Sequence, residues 1–237
     1  MEPLENNRYY QHAKPILVAV DCIIFGFNQS TLQLLLFKRK IAPFLGAWSV
    51  IGSFVQEKES TAIAAIRVLQ EHTGLENIFL DPLALYSDPE RDPGARVISQ
   101  AYFALIQLGD EALNKVETHQ ARWFDLKDIP NLMLDHNTMV QDALVKLRTK
   151  ARYSPFGFEL LPEKFTIPQL QLLYEAIYQK ELDRRNFRKK ILSMGLLDKL
   201  DEKDKSGSRK GAYLYQFNAE NYQKMVREGV DVVLKKR

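Results

Sequence analysis

The sequence predicts an α/β protein, an α/β/α sandwich around a mixed sheet, followed by a smaller helical domain that carries a β-hairpin. Two observations lead to this class. In the first 150 residues, β-branched apolar runs and segments of helical periodicity follow one another as strands, a helix, more strands and a second helix. This order differs from the regular alternation of parallel strand–helix–strand units. At 150–165 the composition then changes, with two prolines, one glycine and four aromatic residues.

The elements of the first domain follow from local patterns along the chain. Residues 15–27 form a β-branched run typical of a buried strand, and residues 31–40 continue as a second strand after turn-forming residues. A helix is predicted to begin at a cap formed by Ser60 or Thr61 and to end at Gly74. The remaining elements are two apolar segments, a strong strand, a strand with a turn and an amphipathic helix, at 78–80, 84–86, 97–108, 121–130 and 137–151.

Composition excludes several classes of protein. With 46% apolar residues in 237, the chain can form a real core and is not globally disordered. It has no run of about eighteen apolar residues, so we expect no membrane-spanning segment. The first residues lack the basic-then-apolar layout of a secretory signal. The single cysteine, Cys22, cannot form an internal disulfide, and the four histidines have no metal-ligand spacing. These features predict a cytoplasmic protein.

Charge is distributed unevenly along the chain. Residues 1–150 hold 15 Lys and Arg against 18 Asp and Glu, a net charge of −3. Residues 151–237 hold 18 against 12, a net charge of +6, which brings the whole chain to +3. A basic segment behind a mildly acidic body indicates an anionic polymer as partner. Charge alone leaves a merely solvated cationic surface as the alternative.

Residues 52–75 carry the spacing of a segment that cleaves diphosphates. Seven residues separate Glu59 from Arg67, and Gly74 with an apolar residue closes the segment. The stretch resembles a Nudix box, which consists of Gly, five residues, Glu, seven residues and then Arg-Glu-apolar-x-Glu-Glu-x-Gly-apolar. Ser53 stands where that family has its leading glycine. The resemblance covers roughly residues 12–150 and implies the Nudix-type sandwich.

The resemblance also implies that the three metal-binding acids of the family fall on Val68, Glu71 and His72. Acids at this spacing share one helix face and hold the Mg²⁺ that neutralises a diphosphate. A neutral imidazole is a poor ligand for Mg²⁺ and valine is none, so one carboxylate of three remains. We therefore expect no metal, no cofactor and no hydrolysis. The alternative is a hydrolase of a nucleoside diphosphate derivative whose metal ligands moved to other acids, namely Glu57, Asp88, Asp92 and Glu117.

The second domain has the order helix, helix, hairpin. Thr166, with Pro168 and Gln169 behind it, matches a helix start with a capping box. Asp183 can cap a second helix after a turn of about four residues, which is the layout of a helix-turn-helix. A hairpin rich in glycine and lysine follows, with its second strand at 212–217. This order predicts a winged helix-turn-helix domain.

The second helix and the hairpin carry the residue types that contact DNA. Arg and Asn read guanine and adenine, and here they cluster in the N-terminal half of the helix, where recognition helices meet base edges. Lys, Ser and Arg in the hairpin suit phosphate contacts. The predicted DNA-binding residues are Arg184, Arg185, Asn186, Arg188, Lys189, Lys205, Ser206, Ser208, Arg209 and Lys210. A winged helix that binds a protein instead of DNA is a further alternative.

Together the two halves resemble the Nudix-related transcriptional regulators, in which a Nudix-like sensor precedes a winged helix. Residues 165–191 are similar to the DNA-binding segment of that family. The resemblance implies an effector-sensing domain at 1–152, a winged helix-turn-helix domain at 153–237, and a homodimer on a double-stranded DNA operator. It implies a small-molecule effector as well, either L-arabinose, as in the regulators of Bacteroidetes that the chain resembles more, or an ADP-ribose-like nucleotide.

Planar aromatic groups and charged groups in the first domain are suited to bind a sugar or a nucleotide. The predicted effector-binding residues are Trp48, Glu57, Asp88, Arg91, Arg96 and Tyr102. Core positions for the two aromatic residues, and a solvated loop for the charges, are alternatives that the sequence leaves open.

Overall fold

The computed structural model describes residues 12–118, 121–153, 155–206 and 210–228, without the side chains of residues 111, 117 and 118. Its first half contains one sheet of seven strands, β1 (Leu17–Phe27), β2 (Leu32–Lys38), β3 (Trp48–Ser49), β4 (Ile51–Phe54), β5 (Asp81–Tyr86), β6 (Val97–Gln107) and β7 (Ala121–Asp125). The strand order is β3-β2-β1-β6-β5, with β4 paired to β1 and β7 paired to β2. β1 and β6 are parallel and the other pairs are antiparallel, which confirms the mixed sheet.

Three helices accompany the sheet, α1 (Thr61–Thr73), α2 (Asp110–Thr118) and α3 (His136–Tyr153). Successive side chains of a strand point to opposite faces, so β1 contributes to two cores. One core joins alternate residues of β1 to α1, and it includes Val20, Cys22, Ile24, Val68 and Leu69. The other joins the intervening residues to α3, and it includes Ile23, Phe25, Phe27, Met139 and Val140. The sheet between these helices confirms the α/β/α sandwich.

The ends of α1 lie where the sequence predicted them. The Ser60 side chain accepts a hydrogen bond from the Ile63 amide, and Gly74 ends the helix in a left-handed conformation with φ 67°. The sequence analysis did not predict α2, because this helix is short, with nine residues. Among its described side chains, Val116 is the one large apolar residue that is buried. No helix in the described ranges is long and apolar enough to cross a membrane.

The second half of the chain forms a winged helix, as predicted. Its elements are β8 (Phe165–Thr166), α4 (Ile167–Tyr178), α5 (Arg184–Ser193), β9 (Leu197–Asp204), β10 (Ala212–Phe217) and α6 (Ala219–Arg227), of which the sequence interpretation had missed α6. The three strands form one sheet in the order β8-β10-β9. The capping box at the start of α4 is present in full, since Thr166 and Gln169 exchange side-chain-to-backbone hydrogen bonds.

The helix α3 joins the two halves. Its buried residues Leu147 and Ala151 belong to the same apolar cluster as Leu170 and Tyr174 of α4. The Arg148 guanidinium also donates a hydrogen bond of 3.2 Å to the carbonyl of Ile177, in the last turn of α4. The predicted boundary between residues 152 and 153 therefore falls inside the last turn of a helix that both halves use.

We expect Gly52→Ala to destabilise the fold. A Cβ atom at this position would lie 2.2 Å from Asp21 Oδ1 and 2.7 Å from the carbonyl oxygen of Val20, so the backbone of β1 or β4 must shift. Overpacking of this kind costs about 2 kcal/mol of unfolding free energy, measurable by urea denaturation. Gly109→Ala is the matched control, because a Cβ there meets no atom within 4 Å. Equal stability of the two variants would contradict the close approach.

Replacing the cap of α4 has a separate expected cost. Thr166→Ala removes the hydroxyl that accepts from the Gln169 amide, and loss of an N-cap costs about 1 kcal/mol. Thr149→Ala serves as a control, since this exposed threonine bonds back to the Val145 carbonyl inside α3 and caps nothing. Thermal unfolding should separate the two variants, and an unchanged Tm for Thr166→Ala would show that the cap does not stabilise α4.

Candidate functional site

The loop of the degenerate Nudix box is closed onto its helix by Arg67. Its guanidinium binds Glu59 through two nitrogen atoms, donates to the Phe54 carbonyl at 3.2 Å, and pairs with Glu71 at 3.1 Å. Glu59 also accepts from the Gln56 amide at 2.8 Å. The hydrogen bonds from Arg67 and Gln56 hold the pKa of Glu59 below its ordinary value. The shape of the box therefore persists through pairs that need no metal.

The positions of the family's metal-binding acids have other surroundings here. Val68 is fully buried in the core between α1 and the sheet. Glu71 is half exposed and paired with Arg67, and the His72 ring lies 5.4 Å from the Phe37 ring. Ser53 is exposed on β4. Within the described ranges, no three His, Cys, Asp or Glu side chains group closely enough to hold a metal ion. The side chain of Glu117, one of the relocated acids considered above, lies outside those ranges.

Two loops flank the start of β1, and the space between them is here called the cleft. The box loop leaves β4 beside Val18, whose carbonyl accepts from the Val55 amide at 2.9 Å. The loop at 87–96 leads into β6 on the other side, where the Leu17 amide donates to the Arg96 carbonyl at 3.1 Å. Adjacent residues of one strand therefore hold both loops. Three of the predicted effector-binding residues lie on the 87–96 loop and one lies on the box loop: Asp88, Arg91, Arg96 and Glu57.

These predicted effector-binding residues differ in what they can offer a ligand. Glu57 and Asp88 are exposed. Arg96 donates to the Asp88 and Val97 carbonyls at 3.3 Å, which is the long end of hydrogen bonding. Arg91, by contrast, has a side chain only 3% exposed, so a direct contact with an effector would first require it to leave its partners.

The two aromatic candidates are part of the packed structure. Trp48 is half-buried, with its ring edge-on to Phe124 and the Lys38 ammonium over its face at 5.1 Å. Tyr102 is 7% exposed, and its hydroxyl lies 2.9 Å from that of Thr61 at the start of α1. Both residues therefore have surroundings that fit the alternative of core positions. An effector-binding role for either stays a prediction.

A buried cluster of charged residues lies beneath the cleft, and no pattern in the sequence predicted it. Arg91 binds the Asp135 carboxylate through two nitrogen atoms, at 2.9 and 2.7 Å, and lies 3.7 Å from Asp21. Asp21 accepts from the Ser99 hydroxyl at 2.6 Å, and the His136 ring nitrogen lies 3.6 Å away. Burial opposes the charge of Arg91, but hydrogen bonds and attraction from Asp135 raise its pKa. The partners lie 44 and more residues apart, so no local pattern marks them.

The predicted recognition helix α5 has the required exposure. Asp183 accepts from the Asn186 amide at 2.7 Å and starts the helix, and Phe187 and Ile191 anchor it in the core. The predicted contact residues on its outer face are exposed, namely Arg184, Arg185, Asn186, Arg188 and Lys189. Arg188 also donates to the Tyr215 hydroxyl of β10 at 3.2 Å, which ties α5 to the wing. DNA contact by each of these residues stays a prediction.

The wing, formed by β9 and β10, carries further cations that the sequence interpretation missed. Lys199 and Lys203 lie on the same face of β9, with their ammonium groups 3.7 and 4.4 Å from the centre of the Tyr213 ring. An i, i+4 spacing on a strand next to an aromatic residue was the signal that would have found them. Of the wing residues predicted before, Lys205, Ser206 and Lys210 are exposed, while Ser208 and Arg209 lie outside the described residues.

Comparison with known proteins matches both halves. The profile of the NUDIX domain matches residues 15–143, and that of the NrtR DNA-binding winged helix domain matches residues 157–217. The ADPR responsive transcriptional repressor NtrR of Acinetobacter baylyi is 31% identical over 210 residues, which cover 87% of this chain and 84% of the relative. The ADP-ribose pyrophosphatase of Methanocaldococcus jannaschii is 37% identical over 141 residues, 60% of this chain and 79% of that enzyme.

A solved structure extends the likeness to both domains together. The crystal structure of Shewanella oneidensis NrtR complexed with a 27mer DNA is similar with a TM-score of 0.73 at 27% identity, over 87% of this chain and 95% of that one. The Nudix match covers more than half of this chain, and the Acinetobacter repressor aligns with most of it. The chain therefore belongs to the Nudix family, in the group that carries an NrtR-type DNA-binding winged helix domain behind the Nudix domain.

Proposed function

We propose that the protein is a transcriptional repressor that binds double-stranded DNA through its winged helix and whose DNA affinity changes when ADP-ribose occupies the Nudix cleft. The observation that carries this proposal is a Nudix box that keeps its closed shape while losing its metal-binding positions. Arg67 and Glu59 hold the loop, but Val68 is in the core and Glu71 is paired. A cleft that binds without cleaving is suited to a sensor.

ADP-ribose is the effector with the most support. The Acinetobacter repressor is named as responsive to it, and the Methanocaldococcus enzyme is named for cleaving it. Both relatives are more than 30% identical in sequence to this chain over their matched lengths. L-arabinose, favoured at first by resemblance, gains no support from the relatives described above. In the cleft, Arg96 on the 87–96 loop is the cation that we assign to the diphosphate, because its present hydrogen bonds to carbonyls are long.

The DNA-binding arrangement follows the layout of helix-turn-helix proteins. The exposed outer face of α5 enters the major groove, and the wing meets the backbone. A homodimer places two such helices about one helical turn apart, on the two halves of a pseudo-palindromic operator. The protein acts in the cytoplasm. Arg188, held by Tyr215, fixes the angle between α5 and the wing.

A second function, hydrolysis of ADP-ribose, is favoured by one observation. The Methanocaldococcus pyrophosphatase is 37% identical over 141 residues, a higher identity than the 31% of the Acinetobacter repressor over 210 residues. The Glu71 side chain is half exposed. Of the three helix positions that bind metal in the family, it is the one that keeps a carboxylate. Turnover would require further acids to join it when Mg²⁺ binds.

Effector binding and hydrolysis are tested together. ADP-ribose at 100 times its Kd should raise the unfolding free energy by about 2.7 kcal/mol, visible as a higher Tm, whereas L-arabinose should leave Tm unchanged. After incubation with Mg²⁺, chromatography should recover ADP-ribose intact. Release of AMP that disappears in Glu71→Gln but persists in Glu76→Gln, a control acid just behind the helix, would instead establish the hydrolase. Stabilisation by L-arabinose alone would overturn the choice of effector.

DNA binding is tested with duplexes that the full chain selects from a random pool. Lys189→Ala should weaken binding and reduce the slope of log affinity against log salt by about 1, because one phosphate contact is lost. Lys146→Ala removes an equally exposed helical lysine from α3 and is the matched control. Identical salt slopes for the two variants would contradict a role for α5, and failure to select any duplex would favour the protein-binding alternative.

A further inference from the structure

The start of α3 is held in the sensor domain by a set of polar contacts that cross four elements. Asp135, the residue before α3, is bound by Arg91 of the 87–96 loop. The first residue of the helix, His136, lies 3.6 Å from Asp21 of β1 and 3.1 Å from the Ser49 hydroxyl of β3. The helix therefore begins at a fixed point whose position depends on where the loop holds Arg91.

The same cluster touches both walls of the cleft. Arg91 lies on the 87–96 loop, between the exposed Asp88 and the half-buried Arg96. Asp21 is in close contact with Gly52 of β4, which leads into the box loop, as the 2.2 Å approach of a Cβ there shows. A ligand that draws the two loops together therefore acts on the residues that hold the start of α3.

The far end of α3 contacts the DNA-binding half. The helix has 18 residues, which corresponds to a length of about 27 Å. Near its end, Arg148 donates to the Ile177 carbonyl and Leu147 packs with the apolar residues of α4. Tyr174 of α4 in turn packs against Phe187 of α5, with ring centres 5.6 Å apart. A continuous set of contacts thus runs from the cleft to the recognition helix.

We infer that the Arg91–Asp135 pair is the joint through which effector binding in the cleft changes the setting of the recognition helix. This inference rests on the proposed function. Arg91 and Asp135 are positioning residues: they act through α3 and need not touch either the effector or DNA.

The charges of the buried residues explain why the 87–96 loop and the start of α3 cannot move separately. Arg91 is one buried cation that faces two carboxylates, Asp135 and Asp21. If the loop moved and α3 stayed, both carboxylates would lose their cationic partner in a site where Asp21 is 7% exposed. Breaking a buried pair in this way is strongly unfavourable, because it leaves uncompensated charge. The loop and the start of α3 therefore move together, and a loop displacement is passed on as a displacement of the helix.

The test separates coupling from binding. We would measure the affinity of the full chain for ADP-ribose, its affinity for a selected duplex, and the change in duplex affinity at saturating ADP-ribose. For the wild type that change should be about tenfold, within the range usual for allosteric proteins. In Asp135→Asn, and in Arg91→Lys, which keeps the charge but cannot bind a carboxylate through two nitrogens, the change should fall below about twofold.

A matched control breaks another ion pair between α3 and the sensor sheet. Asp81 of β5 pairs with Lys150 of α3 outside the set of contacts at the cleft. Asp81→Asn makes the same acid-to-amide change, and it should keep the tenfold response. Each of the separate affinities for ADP-ribose and for the duplex should remain within about threefold of the wild type in Asp135→Asn and in Asp81→Asn.

The possible outcomes are distinct. Loss of the response in Asp135→Asn and Arg91→Lys, with both separate affinities retained in Asp135→Asn, supports the joint. A full response in both variants, or an equal loss in Asp81→Asn, overturns it and leaves the proposed function intact. A wild type whose duplex affinity does not change with ADP-ribose overturns the proposed function, and this inference with it. Should Asp135→Asn fail to fold, the response of Arg91→Lys at saturating ADP-ribose decides alone: a loss supports the joint and a full response overturns it.

Discussion

The rest of the structure depends on the shared packing of α3. One face of this helix buries Met139 and Val140 against the sensor sheet, and its later turns bury Leu147 and Ala151 in the cluster that contains Leu170 of α4. A helix with its apolar face buried in both halves cannot shift in one without disturbing the other, because packed interiors tolerate few voids. A chain whose domains were joined by a flexible linker would need a different means of passing a signal.

The Nudix half illustrates how the shape of the box persists although two of its three metal-binding positions no longer carry an acid. In the box, the carboxylates that bind metal and the residues that shape the loop are different side chains. Glu59 and Arg67 close the loop, and their contribution depends on hydrogen bonds to each other and to the backbone. Val68 stabilises the fold as a buried apolar residue, which a carboxylate at that position could not do without a partner. Losing the acid there improves the core while it removes a metal ligand.

Whether a feature can be predicted from the sequence depends on whether residues close together in the chain form it. The long strands β1, β2 and β6, the ends of α1 at Ser60 and Gly74, and the capping box at Thr166 depend on neighbouring residues, and the structure has them as expected. The missed helices α2 and α6 are nine residues long and bury few side chains, none of them in the described part of α6, so little core packing marks them. Arg91 was predicted as an effector ligand because charged groups are suited to bind a sugar or a nucleotide. Its partner Asp135 is 44 residues away, and such a pairing leaves no pattern in the sequence.

The difference in net charge between the two halves of the sequence does not show where the winged helix places its cations. β9 contains four acids and two lysines, so its net charge is −2. Glu202 is paired with Lys164, and Asp198 accepts from the Asn218 amide group. Lys199 and Lys203 lie instead over the ring of Tyr213. Two of the acids are therefore engaged by other partners, while both lysines lie at one aromatic ring. An interface for a polyanion therefore depends on where the charges of the hairpin lie, more than on their sum.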